Sequence, residues 1–562
     1  MARKKLHQWG VADFETTTDP NDCRVWAYAI WTPDSEIEYG NSIEGFMEKL
    51  PNYRKLYFHN LKFDSSFIID YLLKQEYPCF DTGKRNLPDY GFTVLRSDDG
   101  PVYSLTIKHP YGTTEIWDSL KKIPSPVSRI AKDLKFEEQK LEIDYNAYRE
   151  PGHKLTPEEI EYIKNDVTIV GKALQGFMDT SLFDFSEVAS DIKLTHMTIG
   201  GDAIDFLKKT IGLRNWNRYF PPLNDDVDSF LRKGYYGGMV WVKPELQGKD
   251  LGCGLVYDNN SMHPSQLRNK PMPFGEPVYY EGGYLEDELY PLYFQHLKVT
   301  ATVKPNHIPN ISLKRALRSS EAEYLRELDD AELWITSVDL ETMFEQYDIH
   351  CIEYIDGYKF AAIQGMFNKY IDFWMHVKAT SKGIKRMIAK LMLNNIYGKF
   401  GTRPEQLSVV PYLEDDKVCY RPSEAPVNPK YPYLPVAVFT TAYSRQTLVR
   451  AGQSVYDRLV YMDTDSLHIT GTEIPEGLDI HDTEIGKWKL ESHFTRARFL
   501  RCKRYIEEID GKLNVKCGGM SDKLKEKVTW ENFHAGATFE FNLRPKTVPG
   551  GCVLVEQPFH LK

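Results

Sequence analysis

Leu459-Val460-Tyr461-Met462-Asp463-Thr464-Asp465-Ser466 is a short apolar strand that runs straight into a pair of aspartates. Side chains two apart on an extended chain share a face, so Asp463 and Asp465 should point the same way, with Tyr461 beside them. Two carboxylates held together repel unless a cation lies between them. Magnesium prefers such hard oxygen ligands. Asp-Thr-Asp is also good turn chemistry, and by itself the stretch reads equally well as a solvated surface turn.

A second strand of the same kind lies upstream. Leu255-Val256-Tyr257-Asp258 again ends in aspartate and continues Asn259-Asn260-Ser261-Met262-His263-Pro264. On adjacent strands, Asp258 and Asp465 could hold two ions about 3.5–4 Å apart, the arrangement for in-line phosphoryl displacement. Between these strands lies a basic window without acids. From Lys378 to Arg403 it holds Lys378, Lys382, Lys385, Arg386, Lys390, Lys399 and Arg403. Residues 384–397 read as a helix on which Arg386, Lys390, Asn394 and Tyr397 share one face, while Met387, Leu391 and Ile396 turn toward packing. Cations for phosphates and a ring for a base suit a nucleotide. A solvated basic face is the plainer reading, but it does not explain the missing acids.

The rest of the chain sets bounds. At 562 residues, length suggests about three to five units. A net charge of −10 excludes a uniformly basic coat but not a local basic groove. The eight cysteines show no CxxC spacing, which argues against a zinc site or disulfide framework and suits a reducing cytosol. The basic start lacks a following apolar stretch, so no secretory signal is expected. No apolar run approaches about 18 residues, so no membrane span is expected. The amino-terminal part reads as α/β. Val25 to Trp31 and Lys55 to Phe58 look like strands. Thr156 to Phe177 looks like a helix, capped by Thr156, with Pro157 in its first turn. Residues 404–435 hold seven prolines, which exclude a long helix. Tyr412, Tyr420, Tyr431 and Tyr433 favour an ordered loop there over a free linker.

Taken together, these motifs resemble those of the family B DNA polymerases, in the protein-primed branch of the phage φ29 type. Asp258 to Pro264, Lys390 to Gly398 and Tyr461 to Ser466 resemble the three polymerase motifs in order. Lys503-Arg504-Tyr505 resembles the Lys-x-Tyr motif that holds the primer strand. Tyr235-Tyr236-Gly237-Gly238 resembles the Tyr-x-Gly-Gly linker. The resemblance implies an α/β multidomain protein: a ribonuclease H-like 3′–5′ exonuclease domain (1–186), then a right-hand polymerase. Its parts would be palm (187–269 and 434–518, α+β), fingers (366–403) and thumb (519–562). Two insertions are implied, a terminal-protein region (270–365) and a strand-displacement and processivity region (404–433).

By the same resemblance, Lys378, Arg386, Lys390, Asn394, Tyr397 and His263 would bind the incoming dNTP. Asp258, Asp465 and the carbonyl of Asn259 would hold metal, with Asp463 in support. Tyr235, Gly237, Gly238, Thr441, Arg445, Lys503 and Tyr505 would place primer and template. Two Mg2+ per site are implied, with Mn2+ able to substitute. The implied partners are primer-template and single-stranded DNA, dNTPs and a terminal protein. The implied setting is a monomer in the cytoplasm of an infected bacterial host. One departure stands out. Tyrosine is usual where this chain has His263, beneath the sugar, so an altered sugar selection is expected.

The amino-terminal acids complete the expectation. Asp13 and Glu15 share a strand face, Asp64 follows in Tyr57 to Asp64, and Tyr162 and Asp166 are one turn apart on the 156–177 helix. Four acids can bind two metals for phosphodiester hydrolysis, with Tyr162 orienting the water. In order, these resemble the family's three 3′–5′ exonuclease motifs. Thr16, His59, Asn60, Phe63, Phe67, Ser119 and Leu120 would then hold a frayed 3′ end, Lys140 would assist, and Glu142 would add a ligand. Ser125 stands where a stacking phenylalanine is expected, which implies a weaker single-strand grip. A bare nuclease, a silent replication-binding protein and a reverse transcriptase are disfavoured, since both acid sets are complete and stand in this order.

Overall fold

The computed structural model describes residues 6–82, 86–96, 100, 102–145, 147–312, 323–403, 409–423 and 432–561. Tyr431 and the prolines at 404, 426 and 429, read above as parts of an ordered loop, lie outside them.

The amino-terminal part is built on an eight-stranded sheet. Its central strand, Gly10–Thr16, pairs antiparallel with Val25–Thr32 and parallel with Lys55–Phe58. Val25–Thr32 is apolar and buried throughout, as a strand covered on both faces must be. The helix Pro157–Met178 lies across these strands. Thr156 caps it in a full capping box with Glu159. Gly171 lets it lie close: a Cβ there would meet Trp31 ring carbons at 2.3 Å.

The strands that carry the second acid group form a five-stranded antiparallel sheet in the order Trp488–Phe494, Gly254–Asn259, Ser466–Thr470, Leu459–Asp463, Val240–Val242. Alternation along the strands gives it two buried faces. One carries Leu255, Tyr257, Leu459, Met462 and Leu467 against Leu448 and Val449 of the helix Pro435–Ser454. The other carries Val256, Val460 and Tyr461 against Ala497 and Phe499, on a four-stranded sheet that includes Arg496–Arg501 and Arg504–Ile509. Helices Asn368–Thr380 and Gly383–Phe400 form an antiparallel pair. Gly383, at φ +57, starts the second of them.

Residues 270–365 fold around a four-stranded sheet of their own. In 404–435, Val409–Glu414 and Lys417–Pro422 pair as a hairpin. Its Val418 is buried in the core of the amino-terminal sheet, with Leu413 and Tyr420 packed against that core. Arg96 lies 3.9 Å over the Tyr420 ring. The carboxy-terminal hairpin Thr538–Val548 and Gly551–His560 also reaches that sheet: a Cβ on Gly551 would meet the Phe67 ring at 2.6 Å.

Candidate active sites

The first site gathers on the face of the amino-terminal sheet that lies under the helix Pro157–Met178. Asp13 and Glu15 leave the strand Gly10–Thr16, and Asp166 comes down from the helix above. Ligand atoms of these three lie within 4.8 Å of one another. Asp64 joins from the first turn of Leu61–Lys74. Its approach is set by Asn60, at φ +76, and by Asp118, whose Oδ1 accepts from the backbone N–H groups of Asn60 and Leu120, both at 3.0 Å.

The acids are costly here. Burial, and next the charge of Asp166, push Asp13 up to about 7. Burial and then Asp13 push Glu15 and Asp64 well up. Lys140 Nζ sits 2.5 Å from Asp166 Oδ2, yet Asp166 Oδ1 is buried without a hydrogen-bond partner. Four acids, one cation and an orphaned oxygen form a donor set that fits divalent cations. Tyr162, one turn before Asp166, shares a hydrogen bond of 2.7 Å with the Tyr145 hydroxyl. A cavity of about 280 Å3 opens over the acids, lined also by His59, Asn60, Phe63, Lys140 and Leu554. Burial lowers the His59 pKa; its Nε2 donates to the Ser125 carbonyl at 2.8 Å, and its Nδ1 lies 2.9 Å from Ser119 Oγ, which is also 3.0 Å from the Phe58 carbonyl.

The second site lies at the tip of the hairpin formed by Leu459–Asp463 and Ser466–Thr470. Asp258 stands opposite Ser466 on the neighbouring strand, and Asn259 N–H donates to the Asp465 carbonyl at 2.7 Å. The face-sharing expectation for Asp463 and Asp465 needs correction. Asp463 ends the strand and pairs with Ser466. Thr464, at φ +57, turns the chain, so Asp465 is placed by the turn and not by strand alternation. The two acids differ in consequence. Asp463 accepts from the Tyr461 and Thr464 hydroxyls, each at 3.0 Å. Asp258 is pushed up to about 7 by burial, then by Asp465 and Glu491, with Lys390 and Lys489 opposing. Burial and then Asp463 raise Asp465.

The basic helix presents its expected face. Arg386, Lys390 and Asn394 are exposed, while Ile388, Met392, Leu393 and Ile396 pack inside; Met387 and Leu391 are only half-buried. Arg386 donates to the Lys378 carbonyl, and Lys378 Nζ donates to Ser261 Oγ at 2.8 Å. Burial, with Arg386 and Lys390 nearby, holds Lys378 below its ordinary pKa. His263 packs on Tyr397 with ring centroids 4.2 Å apart. Burial and then Arg445 hold it down to about 4. Its Nδ1 lies 2.7 Å from Ser444 Oγ, whose single proton goes to the Thr440 carbonyl. The ring proton is therefore on Nδ1, leaving Nε2 as an acceptor.

Several expected contacts are instead internal supports. Arg445 is buried; it pairs with both oxygens of Asp339, at 3.0 and 2.7 Å, and donates to the carbonyls of Tyr236 and Gly237, both at 2.8 Å. Thr441 is fully buried and bonds back into its own helix. Ser119 and Phe67 are buried, Ser119 orienting His59 and Phe67 lying under Gly551. Tyr235 packs on Gly401 and Gly238 lies against Thr464, and both Gly237 and Gly238 are exposed. Glu142 is exposed and lies outside the Asp13–Glu15–Asp166 group. Thr16 and Leu120 are half-buried, Lys503 exposed and Tyr505 half-buried.

Two residues of these sites carry no sequence signal of their own. Glu491 lies on an edge strand next to a bulge, where a charge reads as solvated. Leu554 comes from the carboxy-terminal hairpin, more than 350 residues from any other lining residue of the first cavity.

Residues 107–483 match the family described as DNA polymerase type B, organellar and viral. The chain belongs to that family, and it is a DNA polymerase. Within it, the chain is 42% identical to the DNA polymerase of Bacillus phage phi29 over 98% of each chain. It is 40% identical to that of Bacillus phage Nf over the whole of both, and 29% identical to that of Streptococcus phage Cp-1 over 98% of each. The fold superposes on phi29 DNA polymerase in its complex with primer-template DNA and incoming nucleotides with a TM-score of 0.90 and 38% identity, covering 99% of this chain and 100% of that one. The likeness to the same enzyme with single-stranded DNA is as close, with a TM-score of 0.90. The architecture is thus an α/β multidomain one, an exonuclease-type unit followed by a right-hand polymerase. Among the described residues, no helix is long and apolar enough to cross a membrane.

Proposed function

We propose that this DNA polymerase replicates a phage genome and carries its own 3′–5′ proofreading exonuclease, one activity at each acid site. One observation carries the reading. Each site gathers carboxyls that are at least half-buried, with Asp13 and Asp258 both pushed up to about 7, and a lysine (Lys140, Lys390) that opposes the shift without cancelling it. Such acids are kept where cations are bound. Divalent cations, Mg2+ with Mn2+ able to substitute, would be held by Asp13, Glu15, Asp64 and Asp166 in one site and by Asp258, Asp465 and the Asn259 carbonyl in the other. When bound they supply the charge that activates a hydroxyl or water and neutralises phosphate oxygens.

The residues do the remainder. Lys378, Arg386 and Lys390 bind the triphosphate, Asn394 lies on the same face, and Tyr397 with His263 bounds the base and sugar. Lys503 and Tyr505 hold the primer strand. Asp463, already satisfied by two hydroxyls, supports the turn. In the exonuclease site Tyr162 orients the water, Lys140 steadies Asp166, and Asn60, Phe63 and Leu554 enclose the 3′ end. The hairpin of Val409–Glu414 and Lys417–Pro422, docked on the amino-terminal core, closes a path around DNA, which favours processivity and strand displacement. By the resemblance of its motifs, a terminal protein primes synthesis through residues 270–365, and the chain works as a monomer in the cytoplasm of an infected bacterium.

Primer extension on a circular single-stranded template with magnesium tests the division. Asp465→Ala should abolish extension and spare 3′ degradation; Asp13→Ala/Glu15→Ala should do the reverse. Loss of both activities in either folded variant refutes it.

A further inference from the structure

Beneath the Asp463–Asp465 turn lies a buried polar pair that neither site uses. His468 Nδ1 is 2.7 Å from Glu507 Oε1, and the two side chains are 4% and 2% exposed. His468 lies on the strand that leaves the turn, across from Tyr461. Glu507 lies on Arg504–Ile509, the strand that leaves the Lys503 turn. A well-packed apolar pair would stabilise such a layer at least as well, so a polar pair here points to orientation.

Polar contacts join these hairpins at two levels. At the tip, the Tyr461 hydroxyl donates to Asp463 and accepts from the Lys503 backbone N–H at 3.1 Å; Lys503 Nζ is 3.7 Å from Asp463 Oδ1. At depth is the His468–Glu507 bond. Between them the rings of Tyr461, Phe499 and Tyr505 stack, Phe499 and Tyr505 at 4.9 Å. Offset stacking tolerates a wide range of ring positions and so lets layers slide. A hydrogen bond loses its worth as its angle closes, and so does not.

We propose that His468 and Glu507 are positioning residues. Their bond sets the register of the Lys503–Tyr505 hairpin against the catalytic hairpin, and so the height of the primer 3′-hydroxyl relative to Asp258 and Asp465. This rests on the reading that Lys503 and Tyr505 hold the primer.

Steady-state primer extension with titrated dNTP tests it, on wild type, His468→Asn, His468→Gln and Lys503→Ala. The Asn amide can take the place of Nδ1, and the Gln amide that of Nε2. A merely space-filling role treats the two alike. The expected result is kcat within about threefold of wild type for His468→Asn and a fall of about tenfold or more for His468→Gln, with similar thermal midpoints. The KM for dNTP should stay within about threefold in both, because the triphosphate is held on another helix. Equal kcat in the two variants, or a rise in KM that accounts for the loss, overturns the inference. Should His468→Gln not fold, Glu507→Gln (bond kept) against Glu507→Met (bond lost) decides by the same outcomes. Lys503→Ala separates the two readings. If it impairs extension while the His468 variants behave alike, only the inference falls. If it extends primers like wild type, the primer-grip reading falls and the inference with it.

Discussion

Gly238→Ala should disturb the catalytic turn from outside it. A Cβ at Gly238 would stand 2.6 Å from Thr464 Oγ1, 2.7 Å from Cγ2 and 2.9 Å from Cβ. Ordinary contact begins at 3.4 Å, so about 0.8 Å must be found. Thr464 cannot swing away freely. Its hydroxyl donates to Asp463 and its N–H donates to the Met239 carbonyl at 2.7 Å. The turn must therefore move as a unit, carrying Asp465 with it. Overpacking of this kind costs about 1–3 kcal/mol, and a displacement near 1 Å at reacting groups costs on the order of a hundredfold in rate. Primer extension should show kcat down about ten- to a hundredfold with little change in KM for dNTP, since Lys378, Arg386 and Lys390 are untouched. Thr464→Gly removes the obstructing side chain and suits the positive φ, so adding Gly238→Ala to it should cost little further. Wild-type turnover in Gly238→Ala, or a double variant in which the two losses multiply, would refute the steric coupling.

Three further outcomes follow from the same geometry. His263→Tyr should change ribonucleotide discrimination, because it replaces a ring held by Ser444 and offering an Nε2 acceptor; identical incorporation ratios for rNTP and dNTP would exclude a role in sugar selection. Arg445→Ala should lower stability by about 3–5 kcal/mol, seen as a fall in thermal midpoint, because it leaves the buried Asp339 charge without the guanidinium that pairs with both its oxygens. Glu159 is pushed up by burial, but hydrogen bonds from Thr156, Arg149 and His153 outweigh this and hold it below its ordinary 4.5. Its contribution is then fully present above pH 4.5 and lost as pH falls through the lower folded value. Glu159→Gln should therefore cost about 1.5–3 kcal/mol at neutral pH, with the gap to wild type closing in acid, as thermal melts across pH would measure.

The sequence by itself determined the family and the pattern of acids and cations. Acids at the ends of apolar strands, a basic window without acids and a well-capped helix are local patterns, and local patterns are readable because strand and helix periods are short. Helix Pro157–Met178 and the face Arg386–Lys390–Asn394 needed no tertiary information. What only the tertiary structure decided is which polar groups face a ligand and which face each other. Arg445 and Thr441 looked like nucleic-acid contacts, yet the fold turns Arg445 onto Asp339, 106 residues away, and buries Thr441 against its own helix. Glu491 and Leu554 carry no local signal, yet the fold delivers them to the two sites. The turn at Thr464 overrode strand alternation and gave Asp463 and Asp465 different surroundings. The reason is the same in each case. Burial and partnership depend on elements hundreds of residues apart, and no short period in the chain encodes that distance.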